Sequence, residues 1–274
     1  MTLAAVARYR ALQTARWERE DAKFTDAERA ELIQITKGVP APQEPIALLP
    51  VAQLYVTHIP DLEGQGPAGA DLLQVLWCPF DHHEDQEYQP KTVLYWRDST
   101  QITNVLNDQP QPAAVMRDDY VPEPCVLDPE QIIEYPSIHA LDPELQQRIT
   151  TWDAHESNDE DEEEGHLYFH ELSVAPGFKV GGWEPWNSTD PWPMQCRVCT
   201  SPIHPLLTIG TAETYATGER WTPLEDREME ANPLPVHRYH DPLTPTLLHL
   251  GRGYDMQVYV CCNDITHPTI DRLL

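Results

Sequence analysis

The sequence predicts an α+β fold: a β-rich body, made of two halves that one reading relates by duplication, preceded by an N-terminal helical arm. Three observations carry this. Residues 1–37 show helical periodicity. Beyond Gly38 the apolar residues fall into short runs rich in Val, Ile, Tyr, Trp and Leu, the pattern of strands. Proline is frequent beyond Gly38, where all 27 of the chain's prolines lie, and breaks the body into many short elements. Several strands with few helices between them favour an α+β body over alternating βαβ units.

In the arm, Leu3, Val6, Ala7, Arg10 and Ala11 recur at helical spacing, and Leu12 and Trp17 extend the stripe. A second helix is announced by Thr25 with Glu28 three residues on, ahead of Ala30, Leu32, Ile33 and Ile35, and Gly38 with Pro40 ends it. The sequence therefore divides into a helical arm, 1–37, and a β-rich domain, 38–274. The arm reads as a cover for the body; a membrane-surface helix would carry more Lys and Arg on its polar face.

In the body, strands are expected at 52–58, 71–77, 92–96, 165–169, 205–209, 247–250 and 256–261, and short helices at 99–107 and 142–151. Leu72-Leu73-Gln74-Val75 and Leu206-Leu207-Thr208-Ile209 are the pair that suggests duplication. Between them the run Ser157 to Glu164 is almost wholly acidic and reads as a solvated surface loop. It lacks the interspersed ligands and turn glycine of a calcium loop.

Charge narrows the choice of partners. The chain holds 18 basic and 45 acidic residues, a formal charge of −27, of which the arm contributes +1 and the body −28. Binding to a phosphate backbone needs clustered Lys and Arg, so nucleic acid is excluded as the expected partner. A basic protein partner, solubility and adaptation to high salt all remain consistent with the acidity. The longest apolar runs are five or six residues, so no membrane span is expected. The first twenty residues lack the apolar core and cleavage site of a secretory signal, and a cytoplasmic location is expected.

The cysteines give the sharpest chemical signal. Cys196-Arg197-Val198-Cys199 is a C-x2-C turn, and Cys261-Cys262 with His267 follows near the C-terminus. A C-x2-C turn places two thiolates around one ion, and a strand end with a short loop can bring one Cys and one His as the second pair. The predicted set is Cys196, Cys199, Cys261 and His267, holding Zn2+ in a knuckle of about 193–205 with 258–268. Neighbouring strand residues face opposite ways, so Cys262 is an alternative to Cys261, and His204 is an alternative to His267. Four protein ligands close the shell and make the metal structural. A redox dithiol would open a helix, which Thr200-Ser201-Pro202 does poorly, and buried inert thiols are the plainer alternative.

Other polar clusters are weaker. Cys78, with Asp81-His82-His83-Glu84, resembles half a metal site and would support a metal-dependent hydrolase; the plainer reading is a polar connection after a strand ending at Trp77. His166 with His170, and His237 with His240-Asp241, are loose groupings. No nucleophile elbow, phosphate-binding loop or dinucleotide fingerprint accompanies any of them. No catalytic residue is assigned. Trp183, Trp186 and Trp192 lie among glycines and prolines; they read as core plugs or, for Trp183 and Trp186, as anchors for a partner.

Phe178-Lys179-Val180-Gly181-Gly182-Trp183-Glu184-Pro185-Trp186 is followed by Asp190-Pro191, by Leu206-Leu207-Thr208-Ile209 and by Gly253-Tyr254-Asp255-Met256-Gln257-Val258-Tyr259-Val260. This series, with Leu72-Leu73-Gln74-Val75, resembles the YwqG-like family of bacterial domains of unknown function, over roughly 46–270. The resemblance implies a β-rich α+β body of two related halves and no established activity. Some relatives occur in toxin–immunity neighbourhoods, which associates an immunity role with the family. The Cys–His set is not general in that family and would mark a zinc-bearing branch; the acidic run near 160 is an addition. The resulting expectation is a non-enzymatic acidic binding module of immunity or regulatory type.

Overall fold

A computed structural model describes residues 1–19, 21–37, 39–40, 42–84, 87–156, 167–186, 190–191, 193–214, 220–222 and 243–274, with the backbone alone at 83, 84 and 87. The acidic run, the expected strand start at 165–166, His237 and His240-Asp241 lie outside these residues. Two compact units are present, Met1–Val126 with Pro235–Arg252 and Leu127–Leu234 with Gly253–Leu274. Each is built on one antiparallel sheet. The architecture is α+β with a β-rich body and an N-terminal helix, as the sequence predicts.

In the first unit, α1 (Leu3–Trp17) starts where Thr2 Oγ1 accepts the Ala5 amide at 3.1 Å. It buries Val6, Leu12 and also Arg10. The terminal nitrogens of that arginine find partners: its guanidinium donates to Glu123 Oε2 at 3.0 Å and to the Asp118 carbonyl at 2.9 Å. Met1 pairs its backbone with Val115, whose amide donates to the Met1 carbonyl at 2.6 Å. α2 (Asp26–Ile35) opens on the capping box of Thr25 and Glu28. It buries no residue fully, and Ile33 stays 66% exposed, so the predicted apolar stripe is only half used. Arg8 and Glu31 join the two helices bidentately, and Arg16 lies over the rings of Trp17 and Phe24.

The first sheet orders β1 (Leu49–Tyr55), β2 (Leu72–Glu84) and β3 (Glu87–Arg97). In β2, Leu73, Val75 and Trp77 alternate onto one fully buried face, while Gln74 on the other face links Gln53 and Arg97. The strand runs on to Glu84, past a bulge between Cys78 and His82. The expected polar connection after Trp77 is thus an extended hairpin arm.

Three further expectations are corrected. At 99–107 there is a single 3-10 turn, Ser99–Gln101, because Asp98 caps it and the Ser99 amide and hydroxyl are held by Asp71 at 2.6 and 2.5 Å. Val105 and Leu106 are 81% and 67% exposed and give a helix nothing to pack on. The expected strand at 165–169 is replaced, in its described part, by a π-helical turn, Tyr168–Leu172. The fully buried Asp153 of α3 (Pro143–Glu156) accepts the Leu167 and Tyr168 amides and so starts a helix there. Residues 247–250 form no named strand: Leu247 has φ +54, although Leu247, Leu248 and Leu250 are buried.

The second unit's sheet orders β4 (Lys179–Val180), β5 (Ile203–Ile209), β6 (Met256–Cys261) and β7 (Ile270–Leu273). Every residue of β6 is buried, Gln257 included, whose amide takes the Thr208 hydroxyl and donates to the Leu207 carbonyl. Each of the two Leu-Leu segments lies on an interior strand of its antiparallel sheet. Strand β7 was not anticipated, being four residues long with Asp271 and Arg272 buried in it.

Candidate metal centre

Two loops and one strand end build the site. Gln195 pairs with Pro202, and between them the Cys196 amide donates to the Ser201 carbonyl at 2.8 Å and the Thr200 amide to the Cys196 carbonyl at 2.9 Å. The chain can turn this tightly because Thr200 accepts φ +59. Cys196 and Cys199 are thereby set on one small turn. Cys261 ends β6 opposite Ile203, so the ladder brings it to the base of that turn.

Beyond β6 a second small turn delivers the histidine. Asp264 Oδ1 accepts the Thr266 amide and hydroxyl at 2.9 and 2.7 Å, and the His267 amide donates to the Asp264 carbonyl. The other carboxylate oxygen stands 3.7 Å from His267 Nε2, which leaves Nδ1 to face the cysteines. A carboxylate behind a ligating imidazole fixes its ring orientation.

The four ligand atoms of Cys196, Cys199, Cys261 and His267 lie within 4.8 Å of one another, and can hold a metal ion. Cys196 Sγ is 3.3 Å from His267 Nδ1, and Cys199 Sγ is 3.4 Å from Cys261 Sγ. With Zn–S bonds of about 2.3 Å and Zn–N bonds of about 2.0 Å, a tetrahedron has S···N edges of about 3.5 Å and S···S edges of about 3.8 Å. These two spacings need only small adjustment.

The surroundings suit thiolates. The Val198 amide donates to Cys196 Sγ and the Asn263 amide to Cys261 Sγ, each at 3.4 Å. Hydrogen bonds from the Ser201 side chain and amide bring the Cys199 thiol down to about 6. Burial pushes the Cys261 thiol up, opposed by the amides of Asp264 and Asn263. A cation between them stabilises the charged form of both.

The two alternatives named from the sequence pair with each other: His204 Nδ1 is 3.4 Å from Cys262 Sγ, and Cys262 is exposed. Neither belongs to the cluster. Sequence reasoning gave no role to Asp264, Val198 or Asn263. The Asp-x-Thr spacing at 264–266 was the available sign of the turn that aims His267.

No family model, curated protein or solved structure matches the chain. Its chemistry has to be read from its own residues.

Of the segment named for a hydrolase, Asp81 is committed elsewhere, and the side chains of His83 and Glu84 lie outside the described residues. Asp81, with its side chain 6% exposed, accepts the Tyr120 hydroxyl at 2.5 Å and faces Arg117 at 3.4 Å. Trp77 Nε1 in turn donates to the Tyr120 carbonyl at 3.0 Å. Asp81 is a packing hinge of the first unit; among the described residues it joins no group of three ligands that can hold an ion. Burial raises the Cys78 thiol.

The two tryptophans named as anchors differ. Trp186 is 6% exposed with φ +44, so it serves the interior. Trp183 is 44% exposed, and its backbone is clamped on both sides, its amide donating to Glu134 Oε1 and its carbonyl accepting Lys179 Nζ at 2.8 Å. No described helix is long and apolar enough to cross a membrane.

Proposed function

We propose that this chain is a cytoplasmic, non-enzymatic binding module of the YwqG-like type, stabilised by a structural zinc. The observation that carries the metal is the Cys196, Cys199, Cys261 and His267 cluster, since four protein ligands leave no open position for substrate. Zinc would join the turn at 195–202 to the end of β6 and to the 263–267 turn, adding to the β5–β6 ladder and to the Cys262 amide's bond to the Pro202 carbonyl. Three thiolates and a neutral imidazole leave one net negative charge on the complex, which the Val198 and Asn263 amides offset.

The partner in this reading is a basic protein, and the role is of immunity or regulatory kind. The formal charge of −27 supports it, by steering a cationic surface over a long range. Trp183 supports it as a rigid, exposed aromatic anchor with a fixed backbone. The test is capture from cytoplasmic extract at stepped ionic strength, with Trp183→Ala beside the native chain. A basic protein retained at low salt, released as salt rises and weakened by the substitution is the expected result. A complex indifferent to salt contradicts the electrostatic part, and one indifferent to Trp183 contradicts the anchor.

A further inference from the structure

We propose that the cluster is also a peroxide-sensitive site, in which Cys199 and Cys261 join in a disulfide as the ion leaves. This rests on the zinc reading of the same residues. The C-x2-C motif points to Cys196 and Cys199 as the redox pair; the geometry points elsewhere. Cys199 Sγ stands 3.4 Å from Cys261 Sγ, across 62 positions of sequence; Cys196 Sγ also lies near both sulfurs, but it faces His267 Nδ1 at 3.3 Å and takes the Val198 amide. Cys196 and Cys261 are buried at 3% and 4% exposure, and Cys199 is the half-exposed sulfur of the three. It is the one that a small oxidant from solvent reaches first.

The chemistry balances with hydrogen peroxide as the oxidant. The Cys199 thiolate attacks one peroxide oxygen, the O–O bond breaks, and hydroxide leaves a sulfenic acid on Cys199. The Cys261 thiolate then attacks that sulfur, the S–S bond forms, the S–O bond breaks and a second hydroxide leaves. Two thiols give up two electrons, and peroxide with two protons ends as two waters. Only Cys196 and His267 then remain as donors, half the original set, and the ion passes to solvent or to a chelator. The new bond ties the 195–202 turn to the end of β6 where the ion had tied it, so the unit keeps its cross-link while His267 and its turn are freed. Exposed Cys262, paired with His204, is outside this exchange.

The experiment uses the full chain after its zinc content has been measured. Hydrogen peroxide is added, released zinc is read with a chromogenic chelator, and cross-links are mapped as peptides without reduction. The expected result is one zinc released for each Cys199–Cys261 cross-link, reversed by dithiothreitol with added zinc, and unchanged in Cys262→Ser. Release with a Cys196–Cys199 cross-link, or with one through Cys262, overturns the proposal. So does zinc retained at peroxide levels that oxidise exposed Cys125 and Cys262. A chain that takes up no zinc before peroxide is added instead overturns the metal reading, and the switch with it.

Discussion

Lys179 Nζ lies 2.8 Å from Glu134 Oε2, and the two side chains are 10% and 8% exposed. The pair closes around the Gly181-Gly182-Trp183 turn. Glu134 also accepts the Ala175 amide at 2.8 Å and the Trp183 amide, and Lys179 also donates to the Trp183 carbonyl. Burial lowers the lysine's pKa, and Glu134 works against that shift. Removing the cation alone, in Lys179→Met, leaves the carboxylate buried without its partner and should cost about 3–5 kcal/mol in chemical denaturation. Gly182→Ala should also destabilise, since φ is +75 and the new Cβ would collide with Glu134 Oε1. Wild-type denaturation midpoints for both variants would remove the clamp from the account.

The Tyr120 hydroxyl serves a second buried carboxylate. Tyr120→Phe keeps the edge-on packing against Trp77, at 6.4 Å between centroids, and takes away the donor to Asp81. Burial, and then the bond to Asp81, push the phenol's pKa up, so it stays a donor throughout the neutral range. The variant should lose about 1–3 kcal/mol in urea denaturation, the cost of an under-satisfied buried acceptor. A loss confined to a few tenths of that would mean that Arg117 alone satisfies Asp81.

Glu213 supplies a pH dependence with a defined sign. Burial raises its carboxyl pKa, against the hydrogen bond it takes from the Phe178 amide. The folded chain therefore holds this proton more tightly than the unfolded chain. The associated stability is present below the unfolded carboxyl range and is lost as pH rises through the folded pKa. Glu213→Gln should gain stability relative to wild type as pH rises from the unfolded carboxyl range, about 4, through the raised folded pKa. Melting curves in which the difference shrinks across that range would contradict the assignment.

Asp264 is expected to act through His267 rather than on the metal. Its carboxylate orders the 264–266 turn and faces His267 Nε2, and hydrogen bonds from Thr266 hold its pKa down. Asp264→Ala should weaken zinc about 10- to 100-fold in competition with a chelator, while leaving one site per chain. Unchanged affinity would show that the ring needs no support.

The fold was most legible where propensity and burial agree. Thr25 and Glu28 announced the start of α2, and Leu73, Val75 and Trp77 announced the buried face of β2. It was least legible where polar side chains direct the backbone. Asp71 holds Ser99 out of a helix, and Asp153 starts a helical turn in a segment whose Leu-Tyr-Phe composition favours a strand. Such effects depend on a partner distant in sequence. The four clustered residues were readable from thiolates and an imidazole at knuckle spacing; strand alternation admitted only one of Cys261 and Cys262, and the register that sets Cys261 opposite Ile203 decides which. The carboxylate behind His267 was not readable, since an acidic chain offers aspartates at every turn.

The measurement that bears most directly on the central claim is zinc content of the purified full chain together with its thermal stability, for wild type and Cys199→Ser, with and without a chelator. One zinc per chain is expected, bound through Cys196, Cys199, Cys261 and His267. Free zinc at about 1,000 times its dissociation constant should add about 4 kcal/mol, and the chelator or the substitution should remove that increment. A metal-free wild-type chain whose stability is indifferent to zinc, chelator and substitution would contradict the account.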